Sequence, residues 1–281
     1  MILVTGASGK TGRAVIAALL ARGVKVRALV RRAEQQASFG ALGVDAAIGS
    51  FDQPDTLVPA CEGVDAIYHI CPNVSTSELD YARYMVAAAK ANGVRRFVYH
   101  SVLHPQIEAM PHHWGKMRTE EMLFTSGLDL TVLQPTAYMQ NLLGAWRGIV
   151  EHSVLRVPYP AETRLSLVDI NDVAAAAALV LTSDGHAGAT YELAGTPPLS
   201  QNEVAAAIGA VLQKSIRVEP ETIDAWQARV RAAGMGEHEQ STLAAMFRYY
   251  AEYGLVGNTN TLRWLLGRAP TDLASFVSAN C

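Results

Sequence analysis

Thr5-Gly6-Ala7-Ser8-Gly9-Lys10-Thr11-Gly12 decides how this chain is read. The stretch follows the apolar run MILVT, a buried strand. It leads into Lys10 to Arg22, where Val15, Ile16, Leu19 and Leu20 recur at helical spacing. Strand, glycine-rich turn and helix N-terminus together make a phosphate cradle. The glycines stand in G-x-x-G-x-x-G order. Gly6 allows a tight turn, Gly9 lets backbone approach a pyrophosphate, and Gly12 lets helix and strand pack closely. Ser8, Lys10 and Thr11 complete the cradle. Gly9-Lys10-Thr11 invites a P-loop reading, but that motif needs glycine where Val4 stands. A plain glycine-rich turn explains the letters less well than dinucleotide binding, because the motif sits just after the first strand.

Outward from this point the first half alternates strands and helices, the pattern of a parallel α/β sheet. Strands are expected at Val24–Val30, Asp45–Ile48, Ala66–Ile70, Phe97–His100 and Leu130–Leu133. Helices are expected at Ala33–Leu42, Pro54–Cys61, Ser77–Asn92 and Gly115–Ser126. This is a Rossmann-type doubly wound sheet. The second half is mainly helical, with helices expected at Val173–Leu181, Gln201–Leu212, Ile223–Ala233, Ser241–Tyr253 and Thr259–Leu266. The expected division is a dinucleotide-binding domain over 1–150 and a smaller substrate-binding region over 151–281. A strand over Thr190–Leu193 is expected to return to the main sheet.

Composition removes several classes. The 281 residues carry 23 Lys+Arg against 26 Asp+Glu, a formal net charge of −3, which gives no electrostatic basis for nucleic-acid binding. No apolar run reaches the ~18 residues that would span a bilayer. The first ten residues lack a basic segment before a long apolar stretch, so no secretory signal is expected. Three cysteines, Cys61, Cys71 and Cys281, form neither a C-x-x-C pair nor a disulfide framework. The expectation is a reduced, cytoplasmic protein, with monomer and homodimer both open.

The end of the second strand speaks to the dinucleotide. NAD selectivity rests on an acidic residue about 20 positions past the glycines. Here Val30-Arg31-Arg32 offers two guanidiniums, which suit a 2′-phosphate, so NADP(H) is the expected cofactor. Asp52, after the third strand, is read either as closing over the adenine or as a helix N-cap near Pro54.

Beyond the glycine loop, LVRR, FVYHSVLH, HHWGKMRTEEML, TVLQPTAYMQN, SLVDINDVA and LLGRAPTDLASFV occur in order. Together they resemble the NmrA-like family of atypical short-chain dehydrogenases, which includes NADPH-dependent quinone reductases, triphenylmethane-dye reductases and catalytically silent NADP sensors. The resemblance covers essentially the whole chain and implies a Rossmann domain with a small C-terminal substrate domain. It also implies that Lys116 holds the nicotinamide ribose. The main dehydrogenase pattern is Tyr-x-x-x-Lys, and His112 stands where its tyrosine would. Ser101 falls near that pattern's serine, although Val102 competes for the position.

Without the tyrosine, an unactivated ketone lacks its proton donor. A quinone or cationic dye delocalises the incoming charge, and His112 has the chemistry to handle a proton. Tyr138 and Asn141, past the sixth strand, are candidates for substrate contact, with core packing the alternative for the aromatic. Phe247, Tyr249 and Tyr250 read as packing more than as pocket wall. His100, His104, His112 and His113 are expected in a loop lining the nicotinamide cleft. Pro105 and Pro111 interrupt any shared helix, so no metal is expected. The expected function is an NADP(H)-dependent oxidoreductase acting on a quinone-like or other conjugated small molecule. The rival is a non-catalytic NADP-binding redox sensor with a protein partner.

Overall fold

Residues 1–281 are described by a computed structural model. Six strands of the first half are β1 (Ile2–Val4), β2 (Val26–Val30), β3 (Asp45–Ile48), β4 (Ala66–His69), β5 (Arg96–His100) and β6 (Asp129–Pro135), all largely buried but β3. Short strands β7 (Ala137–Tyr138), β8 (Val154–Val157), β9 (Arg164–Leu165) and β10 (Leu167–Val168) precede β11 (Thr190–Leu193), β12 (Leu199–Ser200) and β13 (Arg217–Pro220). The main sheet runs β11-β6-β5-β4-β1-β2-β3. Neighbours from β3 to β6 pair in parallel, with Ile2 opposite both Val26 and Ala66. The strand at Thr190–Leu193 does return to this sheet.

The helices are α1 (Lys10–Ala21), α2 (Ala33–Gly40), α3 (Leu57–Ala60), α4 (Glu78–Ala91), α5 (Pro111–Phe124) and α6 (Trp146–His152). After them come α7 (Ile170–Thr182), α8 (Gln201–Leu212), α9 (Ile223–Ala232), α10 (Glu237–Tyr253), α11 (Thr259–Leu266) and α12 (Leu273–Ser278). Leu3, Leu57, Ile67, Met85, Phe97 and Val132 belong to one buried cluster in which helix faces cover the sheet. Both faces of β4 are buried, which is why its sequence reads as a continuous apolar run. No helix is long and apolar enough to cross a membrane.

Two expectations from sequence are corrected, and one helix is added. The helix carrying Lys116 begins at Pro111 rather than Gly115, so His112 and His113 are helical and not in a loop. Proline at a first helical position lacks only an N–H that would be unpaired anyway, so Pro111 opens this helix. The expected helix Pro54–Cys61 is a 3₁₀ turn over Pro54–Thr56 followed by α3. The helix Leu273–Ser278 was not foreseen, although Asp272 caps it by accepting from the Ser275 amide at 2.7 Å.

Two compact units emerge from the contacts. The first comprises 1–106, 115–134 and 173–191, and the second 107–114, 135–172 and 192–281. Val150 lies inside the second, so the units interleave along the chain instead of parting at one point. The second unit contains strand pairs β7–β10, β8–β13 and β9–β12 besides its helices. There Asp172, almost wholly buried, accepts from Arg268 at 2.6 Å and from the Thr271 amide at 2.6 Å. This contact joins the SLVDINDVA and LLGRAPTDLASFV segments. Trp226, Phe247 and Tyr159 pack ring to ring, with Tyr250 against Tyr159, so Phe247 and Tyr250 are packing residues.

Candidate functional site

The strand order reverses direction between β1 and β4, and the carboxyl ends flanking such a point form a ligand crevice. Thr5 locks the two ends together. Its hydroxyl donates to Ile70 O at 2.9 Å and accepts from the Ile70 amide at 2.8 Å. Gly6 then turns with φ +56°, and a Cβ there would lie 2.7 Å from Ile70 Cγ2. Gly12 is tighter still, since its Cβ would come within 2.3 Å of Gly6 O. Gly9 differs from both. Its backbone is extended, and a Cβ would meet only Gly6 O at 3.2 Å. Two glycines are therefore demanded by the loop itself, and the third leaves space open.

That space is a cleft of about 380 Å³ within the first unit. Gly6, Ser8, Gly9, Lys10, Thr11 and Gly12 form one wall, Arg31 and Asp52 the next, and Ile70 and Cys71 close it near the β4 end. No side chain caps the N-terminus of α1, and no acidic residue sits in its first turn. The N–H groups there are those an anion requires. Cationic Lys10 and Arg31 border the same cleft. The residues thus fit a dinucleotide carrying a pyrophosphate and a further phosphate.

Arg32 is exposed at the N-cap of α2 and does not line the cleft. Asp52 is not a helix cap. Its Oδ1 accepts from Tyr81 OH at 2.7 Å, and Tyr81 stacks on Phe51 with centroids 5.0 Å apart. The carboxylate beside it raises the Tyr81 pKa, the hydrogen bond to Asp52 contributing most. Gln35, unnoticed in the sequence, bridges the cleft wall by donating to Ser8 Oγ and accepting from the Arg31 amide. A polar residue in the first turn of α2 gave little signal beyond ordinary surface character.

Lys116 does not line the cleft itself, but it bonds Glu78, whose backbone oxygen the cleft residue Cys71 reaches. Its ammonium donates to Glu78 Oε1 at 2.5 Å and to His100 O at 3.2 Å, above the Tyr99 ring at 5.3 Å. Glu78, buried at the start of α4, also accepts from Tyr99 OH at 2.6 Å. The Cys71 thiol reaches Glu78 O at 3.9 Å. Burial pushes this thiol well up, with the Glu78 charge adding to it, which makes Cys71 an inert neighbour. Glu78 was missed because an acid opening a helix reads as a favourable dipole contact.

Ser101 is engaged away from the cleft. It is buried, and its hydroxyl donates to Glu120 Oε1, while Gln134 donates to both Glu120 oxygens at 3.0 and 3.1 Å. Burial raises the Glu120 pKa. Tyr99 cannot replace the absent tyrosine, since it is fully buried, gives its proton to Glu78, and has a pKa pushed well up by burial. His100 faces Tyr68 OH at 2.5 Å, and burial lowers its pKa to about 3. No three of the chain's His, Cys, Asp and Glu residues stand together as metal ligands.

In the second unit, His112 packs edge-on against His113 with centroids 4.5 Å apart. Tyr138 is half-buried on β7, opposite Val168. Asn141 is exposed in the 3₁₀ turn Met139–Ala145. Between them Gln140 donates to Asp169 Oδ1 at 2.8 Å, a structural tie.

Sequence motifs, sheet order and cradle point the same way, and the NmrA-like family model matches residues 1–277. This chain belongs to the NmrA-like family. Among relatives of known activity is the NAD(P)H azoreductase of Xenophilus azovorans, 32% identical over all of this chain and 98% of its own length. The crystal structure of the Escherichia coli NADPH-dependent quinone oxidoreductase with NADPH superposes with a TM-score of 0.88. It is 28% identical and covers 100% of this chain and 99% of that one. The Citrobacter triphenylmethane reductase gives 0.87, at 26% identity over 99% of this chain and 98% of its own. Within the NmrA-like family, the glycine cradle and the Arg31 corner of this chain thus sit on a fold that holds NADPH in a relative.

Proposed function

We propose that this protein is an NADP(H)-dependent reductase that passes hydride to a quinone-like or other conjugated small molecule. The observation that carries the proposal is the single cleft uniting the uncapped α1 N-terminus, Lys10 and Arg31. Lys116 is linked to the cleft residue Cys71 through Glu78. Relatives described as quinone oxidoreductase, azoreductase and triphenylmethane reductase support the acceptor class.

When bound, the dinucleotide supplies the hydride. Everything else falls to the chain. The N–H groups around Gly9, Lys10, Thr11 and Gly12, with Ser8, hold the pyrophosphate. Arg31 would hold the 2′-phosphate, with Arg32 a longer-range cation beside it. Asp52, fixed by Tyr81, borders the adenine end. Lys116 donates to the nicotinamide ribose and so sets the ring's position. Their place past the carboxyl end of the sixth strand supports Tyr138 and Asn141 as substrate contacts, and its imidazole suits His112 to handle a proton. No further donor is needed for an acceptor that spreads charge over a conjugated system. The near-neutral charge balance supports work on small molecules rather than nucleic acid, and three cysteines without a disulfide framework support a reduced, cytoplasmic setting.

NADPH oxidation followed with menadione and a cationic triphenylmethane dye tests the proposal. Turnover well above the autoxidation background is expected. Tight NADPH binding with no turnover on any conjugated acceptor would overturn it in favour of a redox sensor.

A further inference from the structure

We infer that Glu78 is a positioning residue for the reaction, acting through Lys116. This rests on the placement of Lys116 at the nicotinamide ribose. An ammonium has three N–H groups. In Lys116 one goes to Glu78 Oε1 at 2.5 Å and another to His100 O at 3.2 Å. With two bonds fixed and the Tyr99 ring 5.3 Å away, the ammonium is held in one orientation, and its remaining N–H is left for a ligand.

The support of Glu78 is itself fixed. The residue opens α4, where the helix N-terminus favours a carboxylate. Tyr99 OH donates to the same oxygen at 2.6 Å. Glu78 and Lys116 keep side-chain exposures of 6% and 15%, so the pair is desolvated. Burying such a pair is a poor way to gain stability, since apolar residues of like volume often do as well. Its position next to Cys71, a cleft residue, instead gives it work to do at the cofactor. A buried carboxylate at this distance holds the lysine in place.

The test is a double-mutant cycle read by fluorescence titration of NADPH into Lys116→Ala, Glu78→Gln and the double variant. Lys116→Ala should weaken binding about tenfold, the scale of a lost hydrogen bond from a charged group. Glu78→Gln alone should weaken it about threefold or more, and in the Lys116→Ala background should add nothing. With menadione as acceptor, Glu78→Gln should lower kcat while the KM for menadione stays within about twofold. Independent, additive losses would overturn the inference and leave the Lys116 placement standing, as would an unchanged Glu78→Gln beside a weakened Lys116→Ala. Unchanged binding in Lys116→Ala would remove the placement itself, and the inference with it. Should Glu78→Gln fail to fold, Glu78→Asp keeps the charge but draws it back by one methylene. Weakened NADPH binding in that variant upholds the inference, and wild-type binding overturns it.

Discussion

Gln35 Nε2 donates to Ser8 Oγ at 3.2 Å, tying the first turn of α2 to the glycine loop. Because Gln35 Oε1 also accepts from the Arg31 amide at 3.1 Å, one side chain ties the Ser8 turn of the glycine loop to the backbone at Arg31. Arg31 lines the cleft and Arg32 does not. Preference for NADPH over NADH should therefore be at least tenfold, ~1.4 kcal/mol, and should reside in Arg31. Titration of each cofactor should show Arg31→Ala losing most of the preference, Gln35→Ala part of it, and Arg32→Ala little. Equal affinities in the unmodified protein would contradict the assignment.

The three glycines should separate experimentally. Gly12→Ala drives a Cβ to within 2.3 Å of Gly6 O, a backbone atom that cannot move cheaply. It should lower the melting temperature along with cofactor binding, by an amount typical of overpacking, about 1–3 kcal/mol. A Cβ at position 9 meets only one neighbour, at 3.2 Å, and the branched side chain of Gly9→Val would fill space that the proposed pyrophosphate site needs. Its apo melting temperature should stay near that of the parent while NADPH binding collapses. Normal binding by Gly9→Val would place the cradle elsewhere.

Acid stability follows from two buried imidazoles. His69 and His100 both have pKa values lowered to about 3, first by burial and then by the Lys116 charge. Unfolding returns each toward 6.5, so between about pH 6.5 and 3 the unfolded chain binds the extra protons. Stability then rises with pH and is lost as pH falls through that window, each histidine adding a slope of up to ~1.4 kcal/mol per pH unit. His69 is caged by Phe51, Phe97 and Tyr99 and touches Cys71 Sγ at 3.4 Å. His69→Phe keeps a ring in the cage and removes one titrating group. Denaturant titrations across this range should show a shallower dependence on pH, and an unchanged slope would assign the protons elsewhere.

How far the sequence reached can be judged residue by residue. The cradle was legible because strand, glycine spacing and helix start are contiguous, and their chemistry is local. The sheet was legible because both faces of its central strands are buried and they read as apolar runs. Helix α8 matched to the residue, since Ser200 and Glu203 form a capping box that marks its start. Glu78 and Lys116 lie 38 positions apart, and only the parallel pairing of β4 with β5 brings their elements together. Ser101 kept the letter and rough position of a catalytic serine. Its burial against Glu120 and Gln134 is a tertiary fact that no local pattern carries.

Ser101 also gives the sharpest view of the missing proton donor. Its hydroxyl is spent on Glu120, and Tyr99 spends its own on Glu78. A ketone reduced without a positioned acid forgoes roughly 10²–10⁴ in rate, whereas a quinone spreads the charge and takes protons later from water. NADPH oxidation should therefore be measurable with quinones or electron-poor dyes and slight with simple aliphatic ketones. Ser101→Ala should leave quinone turnover within about threefold of the parent, yet cost about 1–3 kcal/mol of stability by leaving Glu120 short of a donor. Lys116→Ala should lower turnover by more than His112→Ala, because ribose placement governs every acceptor and a proton donor only some. Steady-state rates with menadione and with a short aliphatic ketone, beside thermal melts, decide the matter. If the ketone proves the better substrate, or Ser101→Ala abolishes turnover while the fold survives, the chain has a proton donor at this site and Ser101 belongs to the chemistry.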